Sequence, residues 1–227
     1  MLPKFSRLEK LIGEDNLQSL SNKSVLVLGV GGVGGYVVEA LARSGVGKLI
    51  LVDYDIIDVT NINRQIIALD STIGKLKVDV FEERIKDINP NCTVVKIKSL
   101  INEDNFQSLF REKVDFFVDA CDAMIVKKMV ISECLKKNIP FISSMGTGNK
   151  LDPSKLQIVD IRKTINDPIA KNLRKYVKDK KINKKVIVCS SSEVPLKMSD
   201  KVVGSCSFVP ASAGLLIAGY VVRYFCK

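Results

Sequence analysis

The sequence predicts an α/β fold: a doubly wound, Rossmann-like, mostly parallel sheet with helices on both faces. Three observations carry this. Short apolar runs alternate with helical stretches along the chain. A glycine-rich turn, Gly29-Val30-Gly31-Gly32-Val33-Gly34, sits directly between one such run and a helix. The length of 227 residues suits one sizeable core and is short for two, so residues 1–227 are expected to form a single domain.

The elements follow in order. Leu8, Leu11, Ile12 and Leu17 recur at helical spacing, which predicts an opening helix over 8–20. Ser24-Val25-Leu26-Val27-Leu28-Gly29 is an apolar run that stops at glycine, the signature of a strand buried on both faces. Past the glycines, Tyr36 to Arg43 reads as a helix and Leu49 to Asp53 as the second strand of a βαβ unit. Helical periodicity returns over Lys75–Ile88 and ends before Asn89-Pro90. A strand is expected at Thr93–Ile97, a helix around Phe106–Phe110, a strand at Val114–Ala120, a helix at Ile125–Lys137 and the start of a strand at Pro140–Ser143. Lys and Arg then crowd residues 162–185, which reads as a surface helix and loop. The apolar run Phe208 to Val222 contains Pro210 and several small residues and is shorter than the ~20 residues a spanning helix needs. It is read as a buried core helix over 208–225, not as a membrane anchor. No internal repeat and no Gly/Ser linker is present.

Composition narrows the chemistry. Lys and Arg number 35 against 25 Asp and Glu, a net charge of +10. That excess points to a polyanionic partner, nucleic acid before a membrane surface, although a generally lysine-rich composition would give the same number. The six cysteines form no C-x-x-C pair, so a structural zinc site is not expected; reduced thiols in a cytoplasmic enzyme fit best. There is no His, which removes the commonest general base. The segment from Met1 to Arg7 lacks the apolar core of a signal peptide.

The glycine turn predicts a nucleotide site. Gly29, Gly31, Gly32 and Gly34 let the backbone turn tightly and approach a phosphate, and the helix N-terminus offers free N–H groups. Asp53, ending the next strand, is placed to accept from ribose hydroxyls. The default ligand of such a turn is a dinucleotide. The sequence after Asp53 points elsewhere, because Arg64 follows closely and Lys77 opens the next predicted helix. Cations so placed serve an enzyme that moves negative charge on a triphosphate. Asp122 lies at the C-terminal end of a predicted strand, where a carboxylate can hold magnesium together with phosphates.

These motifs, with Asn61-Ile62-Asn63-Arg64-Gln65, Gly74-Lys75-Leu76-Lys77 and Asp119-Ala120-Cys121-Asp122 in this order, resemble the ThiF/MoeB/ubiquitin-activating superfamily and its adenylation fold. The resemblance implies ATP-dependent adenylation of a carboxylate. It implies that Asp53 holds the ribose, that Asn61, Gln65, Arg64 and Lys77 serve the phosphates and the transition state, and that Asp122 binds Mg2+. It also implies a homodimer in which Arg7 reaches the partner subunit's ATP site. The later motifs, Ser144 to Pro153, Asp160 to Thr164 with Asp167-Pro168, and Gly204 to Pro210, are similar to the branch that dehydrates threonylcarbamoyladenosine in tRNA. That branch implies ring closure on the modified adenosine beside the anticodon of ANN-decoding tRNA. It leaves open a monovalent cation and a cysteine desulfurase or sulfur-acceptor partner, and it implies no membrane. The cations between Lys171 and Lys185 would meet tRNA phosphates or simply form a solvated face.

Three rivals stand beside this reading: an activator of the Gly-Gly tail of a sulfur-carrier protein, a nucleotide-sensing scaffold and a dinucleotide oxidoreductase. Cys189 falls where adenylating relatives can carry a working cysteine, but it is read as a structural or free thiol, since a reactive one needs an electropositive setting. Cys121 is read as a small buried residue.

Overall fold

The computed structural model describes residues 3–198 and 202–226; Met1 and Leu2 of the N-terminal segment and Lys227 at the end of the expected domain lie outside the described residues. Seven strands form one sheet: β1 (Ser24–Leu28), β2 (Lys48–Val52), β3 (Thr93–Ile97), β4 (Phe116–Asp119), β5 (Phe141–Ser144), β6 (Leu156–Asp160) and β7 (Ile187–Ser191). Their order is β3-β2-β1-β4-β5-β7-β6. Every neighbouring pair is parallel except β6 with β7. β1 and β4 are buried along their whole length, as their unbroken apolar runs require. The strand order reverses between β1 and β4, and a crevice opens there at the strands' C-terminal ends.

Helices cover both faces: α1 (Ser6–Ile12), α2 (Glu14–Ser21), α3 (Gly34–Arg43), α4 (Lys77–Ile88), α5 (Met124–Lys137), α6 (Pro168–Asp179) and α7 (Phe208–Phe225). Val37, Phe81 and Ile217, from α3, α4 and α7, enter one core. Val130 and Leu173, from α5 and α6, enter the other with Phe106.

Several expectations need correction. The opening helix is broken at Gly13, whose φ of 85° ends α1 and starts α2. Residues 106–110 form a 3-10 turn, not an α-helix. The strands β6 and β7 went unread. β6 is half-exposed at the sheet edge and its antiparallel pairing to β7 is long-range. Within the basic segment, α6 buries Ala170, Leu173 and Val177 and turns its lysines outward. α7 is a core helix on one face only. Val209, Ala213, Ile217 and Val221 are buried, while Phe208 and Leu215 are exposed. Its approach to α3 is close, because a Cβ on Gly214 would lie 2.4 Å from the Val33 carbonyl oxygen. Among the described residues α7 is also the one helix long and apolar enough to cross a membrane.

Candidate nucleotide site

Close backbone approach explains two of the glycines. Gly29 takes φ 82° as the chain leaves β1, and a Cβ there would lie 2.8 Å from the Ala120 carbonyl oxygen at the end of β4. A Cβ on Gly34 would lie 1.8 Å from the Gly29 carbonyl oxygen, so no side chain fits at the start of α3. Beside this turn lies a cavity of about 540 Å³, lined by Gly29, Gly31, Gly32, Asp53, Asn61, Arg64, Gln65, Lys77 and Asp122. Residues spread from 29 to 122 in the chain therefore converge on one crevice. Gly34 packs behind it, and Arg7 is exposed on α1 and does not line it.

Asp53 is buried at the end of β2, and its carboxylate binds two segments together. Oδ2 accepts from the Val30 N–H of the glycine turn at 2.8 Å, and Oδ1 accepts from the Asp55 N–H at 2.9 Å. The remaining lone pairs can accept from a ligand. Asn61 is buried and structural on one side, because its Oδ1 accepts from the Asp58 N–H at 3.2 Å. The Asp58 carboxylate caps the same turn by accepting from the Thr60 hydroxyl and N–H, and these bonds hold it below the usual carboxylate range. Gln65 is buried, and its Oε1 has no hydrogen-bond partner.

The two cations are held differently. Arg64 donates from Nη1 to the Thr60 carbonyl at 2.7 Å and to Asn63 Oδ1 at 3.0 Å. Lys77, buried at the start of α4, donates its ammonium to Asp55 Oδ2 at 2.7 Å, and its own N–H bonds the Asp55 carbonyl at 3.1 Å. Asp55 was missed from sequence, although an acid two residues past the expected ribose carboxylate was a visible signal. Asp122 is exposed at the rim, just before α5. A single carboxylate at the rim of this cavity could hold magnesium, which keeps waters and leans on ligand oxygens.

Below the crevice lies a polar cluster that the sequence reading also missed. The Lys127 ammonium donates to Asp119 Oδ2 at 3.0 Å, to the Ser144 carbonyl at 2.8 Å and to Ser143 Oγ at 3.3 Å. Lys127 and Asp119 are 1% and 0% exposed at their side chains. The Asp119 Oδ1 accepts from the Cys121 N–H at 3.2 Å and so shapes the turn that carries Asp122. A second buried pair, Lys150 with Asp167, ties the Gly146 loop to the N-cap of α6. A lysine inside the apolar face of a predicted helix was the available clue to Lys127.

Burial pushes the Cys189 thiol up to about 12, and it raises the Cys121 thiol as well. Neither is set up as a nucleophile. On α6 and after it, Lys171, Lys175, Lys178, Lys180, Lys181, Lys184 and Lys185 are exposed. A surface cleft lined by Arg162, Arg174, Lys178 and Lys181 lies among them. Arg174 donates to the Thr164 carbonyl at 2.8 Å, whereas Arg162 is paired with Asp160.

Comparison with known proteins agrees with this geometry. The ThiF family model matches residues 5–227. The tRNA threonylcarbamoyladenosine dehydratase of Bacillus subtilis is 46% identical over 244 residues, covering 100% of this chain and 96% of the relative. The crystal structure of the Escherichia coli tRNA N6-threonylcarbamoyladenosine dehydratase in complex with ATP superposes with a TM-score of 0.92 at 34% identity, covering 98% of this chain and 93% of that one. The molybdopterin-synthase adenylyltransferase of Escherichia coli is 30% identical but over only 57% of this chain and 51% of its own length. A matched model over almost the whole chain, and a cavity built from the residues of the family's motifs, lead to one conclusion: the chain belongs to the ThiF family.

Proposed function

We propose that this protein is an ATP-dependent dehydratase that cyclises N6-threonylcarbamoyladenosine in tRNA, acting as one adenylation domain over residues 1–227. The observation that carries the reading is the full-length likeness to dehydratases, including one bound to ATP, where the molybdopterin-synthase adenylyltransferase matches little more than half the chain.

Asp53 accepts from the ribose, and the glycine turn with the α3 N-terminus receives phosphate. Arg64 and Lys77 stabilise charge that develops at the α-phosphorus, with Asn61 and Gln65 beside them. A threonyl carboxylate oxygen forms a bond to the α-phosphorus as pyrophosphate leaves. A carbamoyl nitrogen then attacks the acyl carbon, loses its proton and expels AMP. The nucleoside has lost one water. No histidine is required, because activation comes from a good leaving group and fixed cations. Asp122 would hold magnesium, which neutralises phosphate charge when bound.

The basic excess serves a tRNA of the ANN-decoding set, with the exposed lysines of α6 meeting its phosphates. Arg7 acts across a homodimer in the partner's site. A monovalent cation and a sulfur-transfer partner belong to the same reading, as does a cytoplasmic setting.

The test is mass spectrometry of nucleosides from tRNA bearing threonylcarbamoyladenosine, incubated with the protein, ATP and magnesium. The expected result is a loss of ~18 Da, slowed by about 10²- to 10³-fold in Arg64→Ala, the usual cost of removing one such charge stabiliser. ATP turnover only with a Gly-Gly carrier protein would overturn the reading.

A further inference from the structure

Arg64 is the cation on which this reading depends most, and the structure shows what holds it. Both Nη1 hydrogens are engaged, one by the Thr60 carbonyl and one by Asn63 Oδ1. Both acceptors are neutral. The guanidinium therefore keeps its whole charge, with Nε and Nη2 left for phosphate oxygens. Lys77 makes the contrast, because its ammonium already faces the Asp55 carboxylate.

Asn63 is itself fixed from the far side. Its Nδ2 donates at 3.0 Å to the carbonyl of Ser205, in the segment that leads into α7. The amide can point only one way. Flipped, it would aim N–H groups at Arg64 and an oxygen at a carbonyl oxygen. The stem of Arg64 lies along the glycine turn, where a Cβ on Gly32 would sit 3.5 Å from both Arg64 Cγ and Pro210 Cβ. The start of α7, the glycine turn and Arg64 thus form one packed unit, with Asn63 as its polar link.

We infer that Asn63 is a positioning residue. It holds the Arg64 guanidinium at the cavity without neutralising it, and it ties that placement to the docking of the segment before α7. The inference rests on Arg64 being a phosphate ligand. Asn63 is exposed, so substitutions there leave the core intact.

The experiment measures ATP affinity by calorimetry on the intact chain for wild type, Asn63→Ala, Asn63→Asp, Arg64→Ala and Asn63→Ala/Arg64→Ala, with adenosine as the control ligand. Asn63→Ala should weaken ATP about 2- to 10-fold, the worth of one hydrogen bond. Asn63→Asp should weaken it further, because a carboxylate there pairs with Arg64 and repels phosphate. This ordering is the reverse of what a steric role predicts, since Asp keeps the shape of Asn. In the Arg64→Ala background, Asn63→Ala should change ATP affinity by less than about twofold, as coupled residues require. Adenosine affinity should stay constant throughout. Losses that multiply in the double variant, or an Asn63→Asp that binds as well as Asn63→Ala, would overturn the positioning role alone. An Arg64→Ala that binds ATP like wild type would sink both that role and the phosphate role of Arg64. The nucleoside assay decides the dehydratase reading independently.

Discussion

Replacing Lys127 by methionine should destabilise the protein far more than any other lysine-to-methionine change on α5 or α6. The side chain is fully buried, and its ammonium serves Asp119, Ser143 and Ser144 at once. Methionine matches its length but leaves the Asp119 carboxylate buried without a countercharge, with only the Ser143 hydroxyl and the Cys121 N–H to face it. Breaking a buried pair from one side costs roughly 3–5 kcal/mol. In a chain of this size each kcal/mol moves the melting temperature by roughly 2–4 °C, so a fall on the order of 10 °C is expected. Urea unfolding gives the free energy, and calorimetry gives the temperature. Lys171→Met, on the exposed face of α6, serves as the control and should change stability by no more than about 0.5 kcal/mol. The triple variant Lys127→Met/Asp119→Leu/Ser143→Ala removes the abandoned carboxylate and the hydroxyl beside it, leaving the Ser144 carbonyl and the Cys121 N–H without these side-chain partners, and should recover part of the loss, since an apolar replacement of a buried ion pair is often neutral. A Lys127→Met protein within about 1 kcal/mol of wild type would refute the reasoning, because a buried carboxylate cannot be abandoned at so small a cost.

Two further predictions concern titration. Burial of Glu39 raises its pKa, but the bonds from Arg84 and Arg43 outweigh this and hold the carboxyl below the usual 4.5. A lowered folded-state value means that the stabilisation is present above the unfolded value and is lost as pH falls through the folded one. Glu39→Gln should therefore be less stable than wild type at pH 7, and the gap should close as pH falls through the lowered folded-state value; a gap that widens in acid would contradict the pairing. Cys189, raised to about 12 by burial, has a thiolate fraction on the order of 10⁻⁴ at pH 8. Peptide mapping after iodoacetamide should find it unlabelled in the native protein and labelled after denaturation. Native labelling at the rate of an ordinary exposed thiol would mean that it is reachable and activated.

The local patterns of this chain were legible without coordinates. β1, the glycine turn and α3 announce themselves because a strand buried on both faces must be apolar throughout and a turn this tight admits no side chain at Gly29 or Gly34. Asp53, Arg64, Lys77 and Asp122 could be singled out together, because an acid ending the second strand, two cations soon after it and an acid at a later strand end follow the glycine turn in order. What lay beyond reach was whatever depends on a partner distant in sequence. β6 exists by pairing antiparallel with β7, and its half-exposed pattern carries no period to reveal it. Lys127 stands out only by its place on the apolar face of α5, and its partners are unreadable until β4 and β5 bring Asp119, Ser143 and the Ser144 carbonyl around it. Asn63 looks like a surface amide until the Ser205 carbonyl, 142 residues later, orients it against Arg64. Periodicity and turn chemistry are written in neighbouring residues, so the sequence by itself determined the α/β layout and the crevice at its switch point. How each charge in that crevice is held, neutralised by a carboxylate or kept whole by a carbonyl and an amide, was decided only when the tertiary structure brought those distant groups within hydrogen-bond range.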